Sequence, residues 1–162
     1  MQLLANQYVL LCPATGLHVP LEGALSMKIQ WTPDLATGSS EIDAQHVELF
    51  KRIDSLFSTF DQGVVKRSEI DRTVQFLSEY VAQHFGTEEA YMTKYAYSSR
   101  SAHLSQHQQF IKSFGKLKDR IHKEGIVPEV AQETKELCTD WLVTHIKFSD
   151  KALGMFLKMK MR

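Results

Sequence analysis

Residues 70–95 read IDRTVQFLSEYVAQHFGTEEAYMTKY. Ile70, Val74, Leu77, Val81, Met92 and Tyr95 recur in steps of four and three, and His84 and Glu88 fill the gap between Val81 and Met92. That spacing is the period of one helix face, so the stretch predicts a long amphipathic helix, from about Ser68 to Tyr95. Ser68-x-x-Asp71 reads as a variant capping box at its start. Two polar, metal-capable side chains therefore occupy core positions of a helix whose other core positions are apolar.

The same pattern extends outward on both sides. Before it, Ile42, Leu49, Ile53, Leu56 and Phe60 mark a helix from about Ser40 to Gln62, with Phe50 and Phe57 beside the stripe and His46 within it. Ser39 or Ser40 can cap that helix, Glu41 and Asp43 suit its first turn, and Gly63 follows its end. After it, His103, His107, Phe110, Phe114, Leu117 and Ile121 mark a helix from about Ser101 to Lys123, closed by Gly125. Pro128 then suits the first turn of a fourth helix carrying Val130, Thr134, Leu137, Trp141, Leu142, His145 and Phe148, with a continuation through Ala152, Phe156 and Met159. Short connections make neighbouring helices antiparallel. The expected fold is all-α, an up-down-up-down four-helix bundle preceded by an irregular N-terminal extension.

Five histidines and two carboxylates fall on the predicted inner faces: His46, His84, Glu88, His103, His107, His145 and Asp150. Side chains four apart on a helix lie one turn above each other. In an alternating bundle, positions early in the first and third helices and late in the second and fourth meet at one end, so all seven converge. Seven buried polar groups without partners would be costly, and N/O donors in that number can hold two metal ions. His18 and His122 fall outside the pattern and receive no role. One spacing is awkward. His145 and Asp150 are five apart, and five residues leave an ideal helix about 140° out of phase. Either the fourth helix is distorted near Lys147–Ser149, or Asp150 reaches around to the site.

Composition bounds the rest. The chain has 162 residues, 43% hydrophobic and 23% charged, with 19 basic and 19 acidic residues. This suits one soluble domain and argues against nucleic acid as partner, which a basic face would announce. No apolar run is long enough to span a bilayer. Cys12 and Cys138 form no CxxC and read as unpaired, which favours a reducing cytoplasm. Residues 1–26 contain one side-chain charge, Glu22, and are broken by Pro13, Gly16, Pro20 and Gly23. They have no basic segment of a signal peptide and read as a flexible or non-native extension, with the functional domain at 27–162.

The motifs, in order, are Trp31…Gly38…Ile42-Asp43-x-Gln45-His46, His84-Phe85-x2-Glu88-Glu89-x2-Met92, His103-x3-His107-x2-Phe110 and Trp141-Leu142-Val143-x-His145-Ile146-x3-Asp150. In this order and spacing the chain resembles the hemerythrins, most closely the single-domain bacterial ones, over about residues 29–157. It departs from them before the third helix, where Tyr97-Ser98 replaces their usual Tyr-Pro. The resemblance implies that His103, His107 and His145 bind one iron and His46 and His84 another. Glu88, Asp150 and an oxo or hydroxo group would bridge the two ions. It further implies reversible dioxygen binding for transport, storage or delivery, by a monomer or a homo-oligomer, without catalysis. Reversibility needs a dry pocket. Phe50, Phe85, Trp141, Leu142 and Ile146 offer apolar walls, and the family counterpart of Leu142 lines the oxygen pocket.

Four rival readings stand beside this one. Ferritin-like oxidases carry Glu-x-x-His pairs and four or more carboxylates, and no predicted helix has such a pair among its core positions. A di-iron enzyme acting on peroxide or nitric oxide uses a related site and stays open to a turnover assay. A sensing module would need an output domain or a partner. Tetrahedral structural zinc does not need seven donors around a pair.

Overall fold

The computed structural model describes residues 28–61 and 67–161. The extension at 1–26, with Cys12 and His18, and the expected helix stop at Gly63 lie outside the described residues. The described chain is helical, with no strand. After a single 3-10 turn, Pro33–Leu35, come α1 (Ser40–Asp61), α2 (Arg67–Lys94), α3 (Arg100–Glu124) and α4 (128–160). They form the expected up-down-up-down bundle, and no helix among the described residues is long and apolar enough to cross a membrane.

Local chemistry sets the helix ends. Asp43 Oδ1 accepts from the Thr37 N–H at 2.7 Å and the Thr37 hydroxyl at 2.8 Å, and Asp43 Oδ2 accepts from the Gly38 N–H at 3.1 Å. This ties the preceding loop to the first turn of α1. Gly38 has φ +88°, a left-handed conformation that a side chain would strain. α2 already includes Arg67, so Ser68 lies within the helix and does not cap it. It closes with Ala96 at φ +53° and a Tyr97 N–H to Met92 O bond of 2.9 Å, a turn that takes up an orphan carbonyl without glycine. α3 ends at Gly125 (φ +76°), and Pro128 opens α4, as expected.

α4 departs from a regular helix. Its α-helical stretches, Pro128–Lys135, Leu142–His145 and Lys151–Lys160, are separated by π-helical turns at Glu136–Trp141 and Ile146–Asp150. At the second, the Lys151 N–H bonds to Ile146 O, five residues back. A π-turn absorbs one extra residue. The phase of everything after it therefore shifts, which corrects two expectations. Phe148 is 74% exposed and not part of the inner stripe. Beyond the turn, Leu153, Gly154 and Leu157 face inward, while Met159 is exposed.

The core has two parts. The larger runs through Leu49, Ile53, Phe57, Val74, Leu77, Phe110, Phe114, Leu117 and Val130. A smaller cluster, Ile42, Met92, Leu153 and Leu157, closes the other side. Between them lies a layer of polar side chains: His46 is one turn after Ile42, Glu88 one turn before Met92, and Asp150 three residues before Leu153. Gly154 permits that closure, because a Cβ there would stand 2.3 Å from Thr37 O.

Candidate metal centre

The polar layer consists of the seven side chains expected from the sequence. His46, His84, Glu88, His107 and Asp150 are fully buried, and His103 and His145 nearly so. α1 contributes His46, α2 His84 and Glu88, α3 His103 and His107, and α4 His145 and Asp150. The π-turn Ile146–Asp150 resolves the awkward spacing: an i to i+5 turn returns the chain to the same face after five residues, so Asp150 sits beside His145. Of the two alternatives the sequence left open, helix distortion is the one realised.

The two carboxylates divide the histidines. Glu88 Oε2 lies 3.4 Å from His103 Nε2 and 3.1 Å from His107 Nε2, while Glu88 Oε1 lies 3.9 Å from His84 Nε2. Asp150 Oδ1 lies 3.2 Å from His103 Nε2 and 3.0 Å from His145 Nε2, while Asp150 Oδ2 lies 3.2 Å from His46 Nε2. Each carboxylate thus turns one oxygen to each half. Five donors (Glu88, His103, His107, His145 and Asp150) could hold one ion, and four (His46, His84, Glu88 and Asp150) could hold another.

These approaches do not satisfy the groups as hydrogen bonds. Both oxygens of Glu88 and of Asp150, and Nε2 of His46, His84 and His107, are buried without a hydrogen-bond partner. The Nε2 atoms of His103 and His145 face each other at 3.1 Å. Orphaned donors converging on one volume are costly unless a cation fills it. Separations near 3 Å also match the edges of an octahedron with bonds of about 2.1 Å. The donor set and its spacing fit two ions of the first transition row.

Charge without metal is poorly distributed. Burial, reinforced by the charge on His46, pushes His84 down to about 3. Burial and the neighbouring His103 and His145 push His107 down to about 2. Burial and the Asp150 charge push Glu88 up to about 8. For His103, burial works downward, but Asp150 and Glu88 outweigh it and lift the ring to about 9. Burial raises Asp150, yet the approach of His103, His145 and His46 holds it well below the usual carboxylate range. Glu88 and His103 are thus both shifted toward their protonated forms.

A family profile described as the hemerythrin HHE cation binding domain matches residues 37–157. The chain belongs to the hemerythrin family. It is 34% identical to a bacteriohemerythrin of Methylococcus capsulatus over 125 residues, covering 76% of this chain and 92% of that protein. It is 31% identical to a bacteriohemerythrin of Pseudomonas aeruginosa, covering 74% and 75%. A solved wild-type hemerythrin superposes with a TM-score of 0.68 at 30% identity, covering 78% of this chain and 95% of that one.

Around these seven side chains, hydrogen bonds fix the rings. His84 Nδ1 pairs with Gln45 Oε1 at 3.1 Å, and Gln45 Nε2 donates to Thr87 Oγ1 at 3.0 Å. His107 Nδ1 pairs with Glu89 Oε1 at 3.1 Å, and His145 Nδ1 with Gln106 Oε1 at 2.7 Å. An Nδ1–H donated outward leaves the Nε2 lone pair aimed at the centre. Gln45 and Glu89 belonged to the motifs read from the sequence, without a role. Gln106 was missed; its position between His103 and His107, with the polar side of α3 around it, was the one available signal.

Aromatic rings wall the three-histidine half. Phe85 stacks on His107 at 3.8 Å and 5°, and Trp141 stacks on His145 at 4.6 Å and 12°. Phe50, Phe85, Leu142 and Ile146 are all buried to 2% exposure or less, whereas Trp141 is half-buried. His122 lies on the surface with its side chain 72% exposed.

Proposed function

We propose that this chain binds dioxygen reversibly at a non-heme di-iron centre, as a carrier or store and not as an enzyme. His103, His107 and His145 would hold one iron and His46 and His84 the other, with Glu88 and Asp150 shared. The observation that carries the reading is the unequal division of donors, five on one side and four on the other. The four-donor half, with His46 and His84, would leave its ion less saturated by protein donors, and dioxygen would bind on that half. When bound, two ferrous ions supply the electrons that dioxygen draws on reversibly.

The remaining requirements fall on the chain itself. Gln45, Glu89 and Gln106 orient imidazoles, so little reorganisation accompanies binding. Leu142, Phe50, Phe85 and Ile146 keep water and free protons from the site, which protects the ferrous state. Leu142, one turn before His145, is the residue we assign to the oxygen pocket. Among the described residues, buried Cys138 has no disulfide partner, in keeping with a reducing cytoplasm.

The test is iron content with an absorption spectrum of the reduced protein before oxygen, under oxygen and after its removal. Two irons per chain and an oxygen-dependent band that comes and goes support the reading. Immediate, irreversible conversion to the di-ferric form would favour an enzyme acting on peroxide or nitric oxide. Absence of iron would overturn the ligand assignment.

A further inference from the structure

We infer that Gln106 is a positioning residue for the three-histidine half of the site, acting on two ligands at once through one oxygen. Its Oε1 accepts from His145 Nδ1 at 2.7 Å and from the Ser149 hydroxyl at 2.7 Å. His145 immediately precedes the π-turn Ile146–Asp150 and Ser149 lies within it; that turn is the backbone feature that sets Asp150 beside His145. Gln106 therefore spans that turn from the neighbouring helix. One bond selects the His145 tautomer whose Nε2 lone pair points inward. The other holds the residue next to Asp150.

No other acceptor described around the site does both. Gln45 is anchored to Thr87 on the same helix as the ring it orients, and Glu89, 38% exposed, holds His107 alone. Trp141 stacks on the plane of His145 but offers its ring nothing to donate to. Without Gln106 that plane stays defined while tautomer and rotation are freed. The neutral amide also matters. A carboxylate in its place would draw the Nδ1 proton more strongly and make His145 a more basic ligand.

This inference rests on reading the seven side chains as a metal centre, and the test separates the two. Wild type, Gln106→Leu, Gln106→Glu and Ser149→Ala are isolated from zinc-supplemented medium. Zn(II) content and affinity are measured by chelator competition, and the His145 ring nitrogens are observed by NMR. In Gln106→Leu, Zn(II) affinity is expected to fall about 10–100-fold and the His145 tautomer preference to be lost. Gln106→Glu is expected to retain wild-type stoichiometry, keep the tautomer and shift the Nδ1–H resonance. Ser149→Ala is expected to keep the tautomer while weakening Zn(II).

Wild-type affinity together with an unchanged His145 tautomer in Gln106→Leu would overturn the inference. If that variant does not fold, an unshifted Nδ1–H resonance in Gln106→Glu would overturn it equally. If wild type takes up no metal, the proposed function fails, and the ring-nitrogen signals of the same samples still decide the role of Gln106.

Discussion

Deleting Phe148 should leave the proposed metal centre intact, although it removes a residue from within the site's own motif. Four residues turn an α-helix about 400° and five about 500°, so partners at those spacings are about 40° and 140° out of phase. The π-turn Ile146–Asp150 brings the five-residue pair back into phase by absorbing one residue. Removing that residue lets the turn relax to a plain α-helix with His145 and the aspartate four apart, on one face. Leu153 and Leu157, both buried, keep their phase as well. Phe148 is 74% exposed, so its side chain contributes about 0.5 kcal/mol or less. The melting temperature should move by about 2 °C or less, and iron content should match that of wild type.

The paired control inserts an alanine between Phe148 and Ser149. It rotates Asp150, Leu153 and Leu157 by about 100°. It should abolish the shared carboxylate and turn two buried leucines outward, at about 1.5–3 kcal/mol each. Metal analysis, circular dichroism and thermal melts read all three proteins. A deletion variant that folds but loses its iron would refute the account of the turn as one absorbed residue.

Other expectations are equally specific. Leu142→Asn places a polar group at a site 2% exposed and should shorten the lifetime of the oxygenated form; an unchanged lifetime would remove Leu142 from the oxygen pocket. Gly154→Ala gains about 1 kcal/mol of helix propensity but sets a Cβ 2.3 Å from Thr37 O and 2.7 Å from Thr37 Cβ. Overpacking costs up to about 3 kcal/mol, and Thr37 is held by Asp43, so a net loss of about 2 kcal/mol should lower the melting temperature by about 4–8 °C with iron content unchanged. A higher melting temperature would show that the loop yields. In metal-depleted protein, Glu88 keeps a proton up to about 8 and His103 up to about 9. Both must leave on metal binding, so apparent affinity should rise with pH, by up to tenfold per unit for each proton displaced, and level off above about 9. A flat affinity across that range would show that neither proton is displaced.

Much of this protein is legible without its structure. Helix number, order and approximate ends follow from local rules, because periodicity, caps and breakers act over a few residues. The seven inward polar side chains are equally local: each shares the phase of an apolar stripe, except Asp150. Their convergence at one end follows from alternating helix direction. Phe148 and Met159 were misplaced because a regular 3.6-residue period was extended through a π-turn that the sequence marks only by the five-residue spacing of His145 and Asp150.

Residue order is enough to show that four amphipathic helices bury five imidazoles and two carboxylates in one layer. That follows because period and residue chemistry are properties of the chain. Tertiary structure alone decided how those donors divide. Which oxygen of Glu88 faces His84 and which faces His107, and that Asp150 reaches His46 with one oxygen and His145 with the other, depend on helix rotation and axial offset. So does the meeting of Gln106 with His145 and Ser149 across two helices. Such offsets are set by packing between helices, where shifts of about an ångström make or break a hydrogen bond, and no single segment encodes them.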